Sequence, residues 1–191
     1  MGRLVTETET SGAEANGVEK TYAYDLANNR TSMSVTKNSV AVMETTYTYD
    51  RLNRLTLVND NGMGYATYTY DANGNRATLT LSNGVTTTYT YNKTNLVTSL
   101  TNKKGNTILS AFVYTYYLDG NQATKMDYNY NLTEYVYDGL GRLSSEAETR
   151  GSATTTKEYT YDDAGNRASL KAKRYAISLD PVRFFAKIMG I

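Results

Sequence analysis

The chain has no cysteine, no histidine, no tryptophan and a single proline in 191 residues. Without cysteine, disulfide scaffolds and thiol catalysis are excluded. Without histidine, the commonest general base near neutral pH and the commonest metal ligand are both missing. Charge of one sign is lacking too: 20 Lys+Arg against 19 Asp+Glu leave a net charge of +1. Nucleic-acid binding needs a clearly basic surface, so no such partner is expected. The short basic run Lys171, Lys173, Arg174 reads as a solvated segment. No apolar run is long enough to span a membrane, and no signal peptide is recognisable.

What is there instead is tyrosine, 19 residues of it, together with abundant threonine. Both favour pleated, half-exposed strands, and a lone proline leaves hydrogen-bonded ladders uninterrupted. The tyrosines are ordered. Tyr-x-Tyr occurs seven times, as Tyr22/Tyr24, Tyr47/Tyr49, Tyr68/Tyr70, Tyr89/Tyr91, Tyr114/Tyr116, Tyr135/Tyr137 and Tyr159/Tyr161. The steps are 25, 21, 21, 25, 21 and 24 residues, and self-similarity at such a period marks a repeat architecture.

The residue after each pair is Asp25, Asp50, Asp71, Asn92, Tyr117, Asp138 or Asp162. Three places on stand Asn28, Asn53, Gly74, Asn95, Gly120, Gly141 and Gly165. Only Gly and Asn occur there, the two residues that enter the left-handed region most cheaply, so a turn with positive φ is predicted seven times. The leading Asp can fold back onto backbone N–H groups as an Asx-turn. Aspartates spaced about one per repeat do not supply the clustered oxygens that Ca²⁺ needs, so no metal site, cofactor or catalytic residue is assigned. Arginine follows in two forms. Arg54-Leu55 and Arg142-Leu143 follow the turn residue directly, whereas Arg30, Arg76 and Arg167 come one place later behind an Asn.

Alternating runs such as Ala77-Thr78-Leu79-Thr80-Leu81 read as second strands. Asn16-Gly17, Asn61-Gly62, Asn83-Gly84 and Gly105-Asn106 read as hairpin turns that close many units. Residues two apart on a strand share a face. Stacked units would therefore place tyrosine columns on one face and threonine columns on the other. The predicted fold is all-β: repeated antiparallel hairpins in one long twisted, curling sheet, whose open edges invite self-association. Residues 1–170 form the array. Residues 171–191 form a non-repeat tail, in which Asp180 could cap a short helix with Pro181 at its first position. Gly2-Arg3-Leu4 reads as the middle of a repeat without its beginning, so the chain is expected to be a piece of something longer.

The strings YTYDANGNR (68–76), YVYDGLGRL (135–143) and YTYDDAGNR (159–167) resemble the YD repeats of the RHS family over about residues 1–170. Two units depart from the pattern, with Asn92 then Leu96-Val97 in the fourth and Tyr117 then Gln122 in the fifth. The resemblance implies a secreted or cell-surface bacterial protein whose repeats spiral into part of a hollow shell enclosing or displaying a C-terminal toxin or other cargo. It implies as partners the remainder of a larger RHS chain or that cargo. A second reading makes the tyrosine-rich faces a glycan-binding, adhesin-like module. The third, an aspartyl autoprotease core, is weakest, because Asp180-Pro181 is followed by Val182-Arg183-Phe184 and not by the family's closing motif.

Overall fold

The structure is a computed structural model that describes residues 2–9 and 17–176. All regular secondary structure in them is strand: β1 (Thr6–Glu9), β2 (Val18–Tyr24), β3 (Arg30–Lys37), β4 (Val40–Tyr49), β5 (Leu55–Asp60), β6 (Gly64–Tyr70), β7 (Arg76–Leu81), β8 (Val85–Tyr91), β9 (Val97–Lys104), β10 (Thr107–Tyr116), β11 (Gln122–Asp127), β12 (Leu132–Tyr137), β13 (Leu143–Arg150), β14 (Ala153–Tyr161) and β15 (Arg167–Ala176). They form one open antiparallel sheet in sequence order. The chain divides into two units, Met1–Tyr89 with Asn102–Leu109, and Thr90–Thr101 with Ser110–Ile191. Each Tyr-x-Tyr ends a strand, and the turn that follows leads into that strand's hairpin partner. Strand β15 runs past Leu170 to Ala176. The segment proposed as a short helix lies outside the described residues.

No hydrophobic side chain is buried among the described residues; the buried ones are Thr45, Thr87, Thr133 and Thr149. Stability therefore comes from cross-strand pairs, each contributing roughly 0.2–1 kcal/mol. Alternation does the sorting. All fourteen Tyr-x-Tyr tyrosines are half-buried, whereas the residue between them (Ala23, Thr48, Thr69, Thr90, Thr115, Val136 or Thr160) is exposed. On that opposite face hydroxyls pair across three of the hairpins, Thr69 with Thr78, Thr115 with Thr124 and Thr160 with Ser169, all at 2.7 Å. Inside the strands, Thr87 donates to Asn102 Oδ1 at 2.6 Å, and Thr149 pairs with Thr154 at 2.8 Å.

A β-bulge recurs at one place in the repeat. Thr69 pairs with Thr78 but Tyr70 with Arg76, leaving Ala77 over. The same slip leaves Thr31, Thr56, Ala123, Ser144 and Ala168 over in their hairpins. Every left-over residue is small. A bulge sharpens local twist and re-aims side chains, and here it falls opposite the second tyrosine of six of the seven pairs.

Candidate functional site: the turn edge and the tyrosine face

The Asp-headed turns share one hydrogen-bonding plan. In turn 50–54, Asp50 Oδ1 accepts the N–H of Leu52 at 2.9 Å and of Arg54 at 3.0 Å. Backbone bonds run from Asp50 N–H to the Arg54 carbonyl and from Asn53 N–H to the Asp50 carbonyl. Oδ2 takes the side chain at the fourth place, Arg54 Nε at 2.7 Å. In turns 25–29, 71–75 and 162–166 an Asn amide (Asn29, Asn75, Asn166) occupies that place. The residue ahead of it carries the positive φ: Asn28 69°, Asn53 59°, Gly74 89°, Asn95 61°, Gly120 89°, Gly141 74° and Gly165 84°.

These bonds hold the carboxyls below the ordinary aspartate range, since bonds to the charged form favour it. For Asp25 the main cause is the Asn29 side chain; for Asp50, Asp138 and Asp162 it is the N–H of Arg54, Arg142 and Asn166. At Asp71 and Asp127 burial works the other way, and the combined hydrogen bonds, led by Asn75 and Asn131, outweigh it.

The two irregular repeats keep the turn by different substitutions. Asn92 Oδ1 accepts the N–H of Thr94 at 3.0 Å and of Leu96 at 2.9 Å, doing the work of the Asp. At position 117 a Tyr cannot do so. Asp119, two places on, instead holds the N–H and the side-chain amide of Asn121, both at 2.9 Å. Thus released, Tyr117 reaches sideways, donating its hydroxyl to the Tyr135 carbonyl at 2.9 Å and meeting the Tyr137 ring edge-on at 6.2 Å.

An eighth such turn escaped the sequence reading. Asp127 Oδ1 accepts the N–H of Asn129 and Asn131, and Oδ2 accepts the Asn131 amide at 2.8 Å. It joins β11 to β12, at the end of the strands where short turns otherwise stand. Its left-handed residue is Tyr130, at φ 62°. The Asp-x-x-x-Asn spacing was its signal; Tyr in the left-handed position hid it. The Asn38-Ser39 turn was also overlooked, and both its residues take positive φ, 51° and 63°.

What joins one repeat to the next is the second tyrosine. Tyr24, Tyr49, Tyr70, Tyr116 and Tyr161 donate their hydroxyls to the carbonyls of Leu4, Arg30, Leu55, Val97 and Leu143, at 2.7–2.8 Å. Arg30, Leu55, Val97 and Leu143 each follow the turn of the preceding repeat. Burial raises the phenol pKa of Tyr49, Tyr114, Tyr116, Tyr135, Tyr137 and Tyr159.

The two arginine forms have different targets. Arg54 and Arg142, bound to their own aspartates, lie over the second tyrosine of the next repeat, Tyr70 at 4.4 Å and Tyr161 at 4.5 Å. Arg3 does the same to Tyr24 at 5.0 Å. Shifted one place, arginine becomes the first residue of the strand and covers the first tyrosine of its own repeat: Arg30 over Tyr22, Arg76 over Tyr68, Arg167 over Tyr159. Such stacks contribute about 0.5–1 kcal/mol at exposed sites. A shift of one residue therefore decides whether a guanidinium staples within a repeat or between repeats.

Elsewhere the surface is shallow. One open groove, of about 550 Å³, is lined by Tyr117, Leu118, Asp119, Val136, Tyr137 and Asp138. Among the described residues no group of three or more Asp or Glu is placed to hold a metal ion. None of their elements is a helix long and apolar enough to cross a membrane, which says nothing of a β-barrel.

Comparison with curated protein sequences finds no match. Among solved structures the chain resembles TcdB2-TccC3-Cdc42, with a TM-score of 0.69 and 18% identity over 85% of this chain and 9% of that one. TcdB2-TccC3-TEV gives a TM-score of 0.68 at 18% identity, over 83% and 9%. TcdB2-TccC3 without its hypervariable C-terminal region gives 0.69 at 17%, over 83% and 9%. At that identity the likeness is one of fold, and the chain spans a small part of each of those proteins. The family model of the teneurin YD-shell matches residues 3–185, nearly the whole chain. With its clamped hairpin repeats and its Asp-headed turns, this chain belongs to the YD-shell family.

Proposed function

We propose that the chain is a stretch of wall in an RHS/YD-repeat shell, part of a larger secreted or cell-surface protein, and that the wall encloses or displays a toxin or other cargo from that protein. One observation carries this: the distinctive residues of the repeat point at the repeat itself. Asp closes the turn, the second Tyr clamps the preceding unit, and Arg covers a ring. Such a surface suits a container better than a reaction centre. As partners, the open edges β1 and β15 would receive further hairpins of the longer chain, or another copy when exposed. Glycan binding through the tyrosines has less support. Their rings are half-buried and several carry a guanidinium, leaving little free face for a sugar.

The test uses the full-length protein that contains this chain. Its C-terminal part should resist protease while the wall is intact and become digestible when the hairpin pair 68–91 is deleted. Equal digestion with and without the deletion would overturn the shell reading. Glycan-array binding by this chain, abolished by Tyr→Ala changes on one face, would favour the adhesin.

A further inference from the structure

We propose that Asn61 is a site of spontaneous covalent modification: in the folded chain the Asn61-Gly62 bond deamidates through a succinimide, while Asn73-Gly74 and Asn83-Gly84 are protected by their turns. In this reaction the backbone nitrogen of the glycine attacks Cγ of the asparagine. A Gly N–Cγ bond forms, the Cγ–Nδ2 bond breaks, and the nitrogen's proton leaves with the amide as ammonia. Water then opens the ring to isoaspartate or aspartate. The reaction needs no oxidant, metal or enzyme. It does need a glycine N–H free to lose its proton and a carboxamide free to swing onto it.

All three pairs are exposed, so solvent access does not separate them. Hydrogen bonding does. The Gly74 N–H is held by the Asp71 carbonyl at 3.1 Å and the Gly84 N–H by the Leu81 carbonyl at 2.9 Å. The Asn83 carboxamide is also held, its Oδ1 accepting the Val85 N–H at 3.0 Å. At 61–62 the bonds fall on either side of the reacting atoms: Asn61 N–H to the Glu44 carbonyl at 2.9 Å and Met63 N–H to the Asp60 carbonyl at 2.8 Å. Among the described residues the Gly62 N–H and the Asn61 carboxamide have no hydrogen-bond partner. Nothing lies within 4 Å of where a Gly62 Cβ would stand, so the glycine itself is uncrowded. The product matters locally. It places a carboxylate next to Asp60, whose shielded Oδ1 has no partner, and the isoaspartate form lengthens the backbone of the turn closing β5 onto β6. Asn16-Gly17 stands apart, because Asn16 lies outside the described residues.

The experiment incubates the folded chain at mildly alkaline pH in ¹⁸O water and maps the three peptides by mass spectrometry over time. The Asn61 peptide should gain ~1 Da beyond its ¹⁸O label at least several-fold faster than the Asn73 and Asn83 peptides. In urea the three rates should draw together, since all share the same following residue. Equal rates in the folded chain, a lead by Asn73 or Asn83, or an Asn61 lead that persists unchanged in urea would each overturn the assignment.

Discussion

Replacing Tyr70 by Phe removes one oxygen and leaves the ring, its half-buried position and the Arg54 stack in place. What is lost is the 2.7 Å bond to the Leu55 carbonyl in the preceding repeat. A bond of this kind contributes about 0.5–1.5 kcal/mol net, so Tyr70→Phe should cost about 1 kcal/mol. Tyr68, two residues away on the same face and also covered by an arginine, has no hydroxyl partner among the described residues, so Tyr68→Phe should be close to neutral. Tyr70→Ala also removes roughly half of a tyrosine's burial and the guanidinium stack, for a cost of about 3–4 kcal/mol. Repeat arrays lose stability unit by unit. Native-state hydrogen exchange of the β5 and β6 amides is therefore the appropriate assay, with thermal melting beside it. Exchange should quicken in Tyr70→Phe first at the junction of the two repeats and hardly change in Tyr68→Phe. Equal costs for the two Phe variants, or a silent Tyr70→Phe, would refute the clamp and reduce the second tyrosine to a packing residue.

Tyr130→Gly should stabilise the chain by about 1 kcal/mol, because it relieves an L residue held at φ 62°, while Gly141→Ala should destabilise it by a similar amount; chemical denaturation measures both. Asp119→Ala should open turn 117–121, and adding Tyr117→Asp should restore it by returning the carboxylate to its place in the other repeats; exchange at the Asn121 amide reads this out. In acid, Asp25, Asp50, Asp71, Asp138 and Asp162 have folded pKa values below their unfolded ones. Their stabilisation is thus fully present above ~3.9 and lost as pH falls through the lower folded values; a β-sheet circular-dichroism melt unchanged from neutral pH into that range would contradict this. In alkali the sign reverses. Tyr49 and Tyr116, raised by burial, contribute stability that is present below ~10 and lost as pH rises through their folded values, so tyrosinate absorbance should appear together with opening of the Arg30 and Val97 junctions.

Much of this was legible from residue order alone, and specific positions show why. The Gly/Asn restriction at 28, 53, 74, 95, 120, 141 and 165 is a local conformational demand, and local demands are written in local sequence. The alternation of tyrosine and threonine likewise states which side chains share a face. Three features could not be read this way. The bulge at Thr31, Thr56, Ala77, Ala123, Ser144 and Ala168 depends on how two strands pair, and nothing in a single strand announces an extra residue. Turn 127–131 was hidden by Tyr130, because surrounding hydrogen bonds overrode a poor local preference. Asp119 stands in for the missing carboxylate at 117 only because the turn brings it within reach of Asn121.

By itself, the sequence determined that the chain is an array of antiparallel hairpins with seven positive-φ turns, six of them headed by Asp or Asn. Only the tertiary structure decided what the tyrosines are for. A phenol hydroxyl meets a carbonyl about 15–20 residues away in the chain, and a guanidinium changes its target repeat when it moves one position. Such contacts are fixed by strand register and by the bulge that aims the second ring. They arise from the spacing between neighbouring strands, which the order of residues along any one strand does not contain.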